Sequence, residues 1–201
     1  MTDIIKHDKH KAIVNSAAAG ALGAMIIFLA KKYNIPVINI VRNEQQYQML
    51  IAGGAKYVLN NSDEFFTDQL HSLTHELNAT LALDPISGSY TQQLLEALPY
   101  GGTVLVYGNL SASDQGPSLR PLLLDNKKLH GFYLGKWMKD NGLIKKMRNL
   151  IRVKQLLRND IRITVQRRFP LDRAQQAIDT YLNNMTGGKV LLVPSSGIVP
   201  L

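Results

Sequence analysis

The most informative residues are small ones between the first strand-like run of the chain, Lys11–Asn15, and a helical run that extends to about Tyr33. Gly20 and Gly23 occupy the second and third glycine positions of a G-x-G-x-x-G turn, and Ala18 stands where the first glycine would be. In such a turn Gly20 leaves room for a pyrophosphate, Gly23 lets the helix pack closely on the strand, and the helix start supplies N–H groups. We therefore predict that this turn binds a dinucleotide through Ala18, Ala19, Gly20, Ala21, Leu22 and Gly23.

The end of the second strand-like run indicates which dinucleotide the turn would bind. An acidic residue roughly 20 positions after the glycines binds the ribose 2′-hydroxyl of NAD and repels a 2′-phosphate. This chain has Val41, Arg42 and Asn43 at that point. The Arg42 guanidinium can form charge-assisted hydrogen bonds with a phosphate and stack on adenine. The sequence therefore favours NADPH over NADH, with these three residues as cofactor contacts.

Strand-like and helical segments alternate along the chain, which is the pattern of βαβ units and a mostly parallel sheet. The strands are almost continuously apolar, as expected for strands buried on both faces. The predicted strands are Lys11–Asn15, Val37–Val41, Tyr57–Leu59, Thr80–Leu83, Thr103–Tyr107, Lys128–Leu134, Arg162–Arg167 and Lys189–Val193. The predicted helices are Gly20–Tyr33, Asn43–Ala52, one capped by Asp63, Tyr90–Leu98, Gly142–Leu157 and Leu171–Leu182. We predict an α/β fold with a doubly wound parallel sheet, the Rossmann fold, and a C-terminal strand–helix–strand appendage.

The length of 201 residues suits one large domain with an appendage. We expect a tail over residues 1–10, a dinucleotide-binding domain over residues 11–160 and a C-terminal segment over residues 161–201. The chain has no cysteine, which excludes disulfides, cysteine-ligated zinc or iron–sulfur sites and a thiol nucleophile. His71 and His75 are four residues apart, a spacing at which two histidines of a helix can bind one metal ion, but no third ligand is evident. We expect them on a solvated helix face and predict no metal site.

The positive charge of the chain is uneven. The net charge is +8, and fourteen of the 23 Lys and Arg residues lie between Lys127 and Arg173. No aromatic-interleaved RNA motif accompanies them, so we interpret the charge as a solvated helix face and expect no nucleic-acid partner. The apolar runs, such as Ala17–Ala30, are broken by glycine and too short to span a bilayer, and the polar N-terminus lacks a signal-peptide core. We expect no membrane partner and a cytoplasmic location.

An ordered set of segments extends from Lys11 to Pro194. It comprises KAIVNSAAAGALGAMIIFLAK, VINIVRNEQQYQMLIAGGAKYVLN, the turn Asp84–Gly88, GGTVLVYGNLS, RFPLDRAQQAID and GGKVLLVP. Together these segments resemble the medium-chain dehydrogenase/reductase superfamily, in its zinc-free quinone oxidoreductase and enoyl reductase branch. The resemblance implies hydride transfer from NADPH to the β-carbon of a small-molecule quinone, enone or enoyl thioester. It places Asp84 near the cofactor ribose and Tyr107, Gly108 and Asn109 at the nicotinamide.

The chain departs from the pattern of this superfamily in two respects. Some quinone reductases have a Lys early in the second helix and a Tyr after the third strand, near the 2′-phosphate, whereas this chain has Gln46 and Asn61. Gln46 stays a candidate contact, but Arg42 becomes the main one. Members of the superfamily also begin with a GroES-like domain that carries most of the substrate pocket. The resemblance therefore implies a cofactor-binding part that is catalytically incomplete alone, and we assign no catalytic residue.

The resemblance further implies a homodimer through the sixth strand, with His130, Phe132 and Leu134 on one face and Tyr133 on the other. Two other functions stay open. A non-catalytic dinucleotide sensor or interaction module would share the glycine turn. An S-adenosylmethionine-dependent methyltransferase would also share it, but would place an acid at the end of the second strand, where Arg42 stands.

Overall fold

The computed structural model describes residues 10–111, 115–159 and 165–194. The chain separates into two compact units, Met1–Lys146 and Met147–Leu201. The first nine residues of the predicted tail lie outside the described residues. The predicted division at residue 160 stays a prediction.

The first unit is built on six parallel strands. They are β1 Ala12–Asn15, β2 Val37–Val41, β3 Tyr57–Asn60, β4 Ala79–Asp84, β5 Thr103–Val106 and β6 Lys128–Gly131. Their order in the sheet is β3-β2-β1-β4-β5-β6, and each neighbouring pair is parallel. Because the chain moves from β1 towards one edge and then returns to β4 on the other side, β1 and β4 form a topological switch point. The predicted doubly wound Rossmann fold is confirmed.

Helices connect these strands and cover the sheet. They are α1 Ala21–Lys32, α2 Glu44–Ala52, α3 Phe66–Glu76, α4 Ser89–Ala97 and α5 Arg120–Leu124, with α6 Leu134–Asp140 after β6. Ile13 of β1 packs in one buried cluster with Ile26 of α1. Val14, the next residue along β1, packs in another with Leu70 of α3 and Leu94 of α4. Since neighbouring strand residues point to opposite faces, both faces of the sheet are covered by helices.

Three local predictions need correction. The sixth strand ends at Gly131, and Leu134, predicted as its last residue, is the first residue of α6. The short helices α5 and α6 were not predicted. Asp63 does not lie directly at the start of its helix, which begins at Phe66. Its carboxylate instead accepts the N–H of Phe65 at 2.9 Å, in the turn that precedes the helix.

The second unit contains a two-stranded parallel sheet of β7 Val165–Pro170 and β8 Lys189–Val193. A 3-10 turn and helix α8 Ala174–Asn183 connect the two strands. The predicted C-terminal strand–helix–strand order is therefore present, although residues 162–164 of the predicted strand lie outside the described residues. Helix α7, Leu143–Asn159, contains the boundary between the units.

Candidate dinucleotide-binding site

The turn between β1 and α1 is held from both sides by neighbouring strands. Ser16 donates its backbone N–H and its hydroxyl to the carbonyl of Leu83 in β4, at 3.2 and 2.8 Å. Ala18 donates its N–H to the carbonyl of Ile40 in β2 at 3.0 Å. The turn therefore crosses the carboxyl edge of the sheet at the switch point, where ligands of open α/β sheets bind.

The start of α1 has the properties of an anion-binding helix end. Its N-cap residue is Gly20, no side chain caps it, and its first turn contains no acidic residue. The first helical hydrogen bond runs from the N–H of Ala24 to the carbonyl of Gly20 at 2.9 Å. The N–H groups of Ala21, Leu22 and Gly23 consequently have no acceptor within the helix and carry the positive end of its dipole.

The two glycines have distinct steric roles. A Cβ atom on Gly23 would lie 2.5 Å from the carbonyl oxygen of Ala18, so the helix can pack on the turn only without a side chain there. A Cβ atom on Gly20 would meet the carbonyl oxygen of Ala17 at 3.2 Å, which is tight but not prohibitive. The left-handed residue of the turn is Ala17, with φ of 50°. Ala18 is fully buried and has no positive φ, so an alanine fits where the first glycine of the motif would stand.

The end of β2 presents Arg42 at the same edge of the sheet. Val41 is buried and Arg42 is exposed. Asn43 is the N-cap of α2, and its Oδ1 accepts the N–H of Gln46 at 2.9 Å. The Oε1 of Gln46 in turn accepts the N–H of Arg42 at 3.2 Å. The side chain of Asn43 thus caps the helix, and that of Gln46 fixes the backbone of Arg42; both residues are predicted cofactor contacts.

Sequence reasoning missed Ser62, which follows β3 and lies against the end of β2. Its hydroxyl donates to the carbonyl of Arg42 at 2.8 Å. The N–H of Asn61 donates to the carbonyl of Val41 at 2.8 Å. The polar run Asn60–Ser62 directly after a buried strand was the available signal, because the carboxyl ends of parallel strands lie at one edge of the sheet.

The end of β4 is organised by Asp84, which is fully buried. Its Oδ1 accepts the N–H groups of Ile86 and Ser87 at 2.8 and 3.1 Å. Its Oδ2 accepts the hydroxyl of Thr91 at 2.6 Å. The carboxylate therefore holds the turn between β4 and α4 in place. Both of its oxygens accept hydrogen bonds from the protein itself, although Asp84 ends the strand that pairs with β1.

The end of β5 packs directly on this turn. The N–H of Tyr107 donates to the carbonyl of Asp84 at 2.9 Å, and a Cβ atom on Gly108 would lie 2.7 Å from the carbonyl oxygen of Pro85. Burial, and secondarily the Asp84 carboxylate, raises the pKa of Tyr107 to about 12. Asn109 is exposed. The structure thus brings the predicted residues of β1, β2, β4 and β5 to one edge of the sheet.

Comparison with known proteins decides the family of this chain. Residues 21–153, more than half of the chain, match the model of the zinc-binding dehydrogenase family. The chain belongs to this family. The expected resemblance to the medium-chain dehydrogenase/reductases is thereby confirmed, and the relatives of the chain are named for oxidoreductase activities.

Two relatives and one solved structure illustrate the similarity. The human mitochondrial enoyl-[acyl-carrier-protein] reductase is 25% identical over 191 residues, covering 90% of this chain and 50% of the relative. A Schizosaccharomyces pombe protein named for quinone oxidoreductase activity is 27% identical over 186 residues, covering 90% and 54%. A Mesorhizobium loti protein named for NADPH:quinone reductase activity superposes with a TM-score of 0.82 at 27% identity, covering 95% and 56%. The chain thus spans about half the length of these relatives.

The part of the chain that the structure describes contains neither a cluster of metal-binding side chains nor a membrane-spanning helix. There, no three His, Cys, Asp or Glu side chains come together in a way that could hold a metal ion. His71 and His75 stack on each other, with ring centroids 4.2 Å apart. Likewise, no helix within the described ranges has the length and apolar character needed to cross a membrane.

Proposed function

We propose that this chain is the NADPH-binding part of an oxidoreductase that reduces a quinone, an enone or an enoyl thioester. The observation that carries the proposal is the uncapped start of α1, packed through Gly23 against the turn at the switch point of the sheet. The names of the relatives support an electron-poor, α,β-unsaturated substrate. When bound, the nicotinamide supplies the hydride that such a substrate accepts. No residue of this chain is assigned a catalytic role.

The chain's own residues would bind and orient the dinucleotide. The N–H groups of Ala21, Leu22 and Gly23 would donate to the pyrophosphate, aided by the helix dipole. Gly20 leaves the approach to these groups without a side chain. The turns after β4 and β5, which contact each other through Pro85 and Gly108, would border the nicotinamide half. These turns are held by backbone bonds and by the Asp84 carboxylate, so they would keep their shape when the cofactor binds.

The preference for NADPH over NADH is proposed to come from Arg42. A hydrogen bond to a charged group contributes about 1.5–3 kcal/mol, which corresponds to roughly tenfold to hundredfold in affinity. Because Arg42 is exposed, we expect the lower end of this range, about tenfold. Arg42→Ala should remove most of the preference, as measured by calorimetric titration of both cofactors at one ionic strength.

A matched control is Lys31→Ala, in the last turn of α1. This exposed residue carries the same charge but lies about 15 Å along the helix from its first turn. It should leave the ratio of the two dissociation constants unchanged. Equal affinity of the wild-type chain for NADPH and NADH would contradict the role of Arg42, whereas failure to bind either would contradict the proposed function.

We also propose a homodimer through β6. This strand forms one edge of the six-stranded sheet, and all four of its residues are exposed. An exposed edge strand has unpaired backbone N–H and C=O groups that can pair with another strand, and pairing about a two-fold axis gives a closed dimer. Since Leu134 belongs to α6, the proposed surface consists of β6 and the adjoining Phe132, which is 37% exposed. The cytoplasmic location stays a prediction, and several relatives are mitochondrial.

A further inference from the structure

The side chain of Asn15 lies beneath the start of α1. Asn15 is the last residue of β1 and is fully buried. Its Nδ2 donates to the carbonyl of Gly23, in the first turn of α1, at 3.2 Å. The same nitrogen donates to Oδ1 of Asn39 in β2, also at 3.2 Å. Both protons of this amide are therefore used, one on the helix start and one on the neighbouring strand.

The oxygen of the same amide makes no comparable contribution. Asn15 Oδ1 is buried and has no hydrogen-bond partner among the residues that the structure describes. Burying an amide oxygen without a hydrogen-bond donor is unfavourable, so the oxygen of Asn15 destabilises the fold and does not explain why asparagine stands here. The role of the side chain is accordingly donation, to the Gly23 carbonyl and to Asn39.

Asn39 extends the connection to the next strand. Its Nδ2 donates to the carbonyl of Tyr57 in β3 at 3.2 Å and, at the longer distance of 3.4 Å, to that of Val37. Side-chain hydrogen bonds thus run from the first turn of α1 through β1 and β2 to β3. They fix the direction of the helix start relative to the strands whose ends carry the rest of the site.

We propose that Asn15 is a positioning residue for the pyrophosphate, an inference that rests on the proposed dinucleotide binding. In this proposal Asn15 does not touch the phosphates but holds the carbonyl of Gly23, and thereby the orientation of the first helical turn that carries the free N–H groups. Binding groups must keep their geometry within about 0.5 Å and 10–20° to be effective.

The sharpest test is Asn15→Asp, which keeps the shape of the side chain and replaces the donor with an oxygen. The dissociation constant of NADP⁺ is measured by calorimetry for this variant and for the wild type between about pH 5 and pH 9. At neutral and alkaline pH we expect binding at least about tenfold weaker than in the wild type. At low pH the protonated carboxyl can donate again, so the dissociation constant of the variant, divided by that of the wild type, should fall. Because the ionised carboxylate is buried and also repels the pyrophosphate, Asn15→Ala, which removes the donor without adding charge, is measured in parallel and should bind about tenfold more weakly at every pH.

Two controls separate positioning from stability. Thr74→Val removes another buried hydrogen bond, from the Thr74 hydroxyl to the carbonyl of Ala97, on the opposite side of the sheet from α1. It should lower the melting temperature and leave the dissociation constant unchanged. Asn39→Asp keeps an acceptor for Asn15 Nδ2, and the bond from Asn15 to Gly23, but loses the bond to Tyr57, so it should weaken binding less than Asn15→Ala does.

The outcomes distinguish this role from the proposed function. A wild-type chain that fails to bind NADP⁺ contradicts dinucleotide binding and, with it, the role of Asn15. If the wild type binds and Asn15→Asp stays within about twofold of it at every pH, only the positioning role is overturned. Should Asn15→Asp not fold, Asn15→Ala, which removes the donor without adding charge, carries the same expectation of about tenfold weaker binding.

Discussion

Gly23→Ala tests whether the close packing of α1 on its turn is required, because helix propensity and packing predict opposite signs. Alanine is about 1 kcal/mol more favourable than glycine inside a helix, so propensity alone predicts a more stable protein. The added Cβ, however, would lie 2.5 Å from the Ala18 oxygen, about 0.9 Å closer than the 3.4 Å at which ordinary contact begins. It would also lie 2.6 Å from the Cα of Ala18 and 2.7 Å from the oxygen of Ala17.

All three of these atoms belong to the backbone, so the helix itself must move. Overpacking costs about 1–3 kcal/mol, and the rigid neighbours place this change near the upper end. After the gain in propensity we expect a net loss of about 2 kcal/mol, which lowers the melting temperature by roughly 4–8 °C. Displacement of the first helical turn should also weaken NADPH binding by at least about tenfold.

The assay is urea unfolding together with calorimetric titration of NADPH. Ala24→Gly, at the next and exposed position of α1, is the matched control. It should lose about 1 kcal/mol through propensity alone and keep its affinity for the cofactor. If Gly23→Ala proves more stable than the wild type, helix propensity has determined the sign of the change in unfolding free energy, and the packing argument is refuted.

Three further expectations concern the turn, the end of β5 and the edge strand. Ala17→Gly should stabilise the protein by roughly 0.5–1 kcal/mol in urea unfolding, because relief of the left-handed strain at φ of 50° exceeds the entropy that glycine adds to the unfolded chain; a loss of stability would refute this. Tyr107 has a folded-state pKa raised to about 12 from 10.0, so its contribution to stability is complete below pH 10 and is lost as the pH rises towards 12. Tyr107→Phe should make that fall shallower, and an unchanged slope would contradict the assignment. Phe132→Lys should shift the sedimentation of the chain from dimer to monomer, whereas a wild-type monomer or an unaffected dimer counts against pairing through β6.

The sequence predicted the fold well because hydrophobic periodicity and glycine placement are local signals of buried parallel strands. The turn between β1 and α1 shows this best. The spacing of Gly20 and Gly23 predicted a helix that begins after this turn and packs closely on it. The position of the left-handed residue was not predictable in this way. Alanine carries no sequence signal for positive φ, and the structure places that conformation at Ala17.

Side-chain hydrogen bonds could be predicted from the sequence less well. Asn43 and Gln46 stay predicted cofactor contacts, but the sequence did not indicate that the Asn43 side chain caps α2 or that the Gln46 side chain accepts the N–H of Arg42. The prediction that the sixth strand continues to Leu134 was wrong for a different reason. A short apolar run can form a strand or a helix, and the pair Lys136–Asp140, at 3.0 Å and helical spacing, belongs to the helix that begins at Leu134.

The hydrogen bonds that hold the turn between β1 and α1 imply that the proposed cofactor would bind to a turn that is already formed. Ser16 and Ala18 connect it to β4 and β2, and Asn15 connects the helix start to β2. A site that is already ordered loses little conformational entropy on binding, so the N–H groups of α1 can contribute most of their interaction energy to affinity. Substitutions that loosen any one of these connections should therefore weaken binding even when no contact to the phosphates is removed. Arg42 lies outside these connections at an exposed position, so its substitution should alter cofactor preference without displacing the N–H groups of α1.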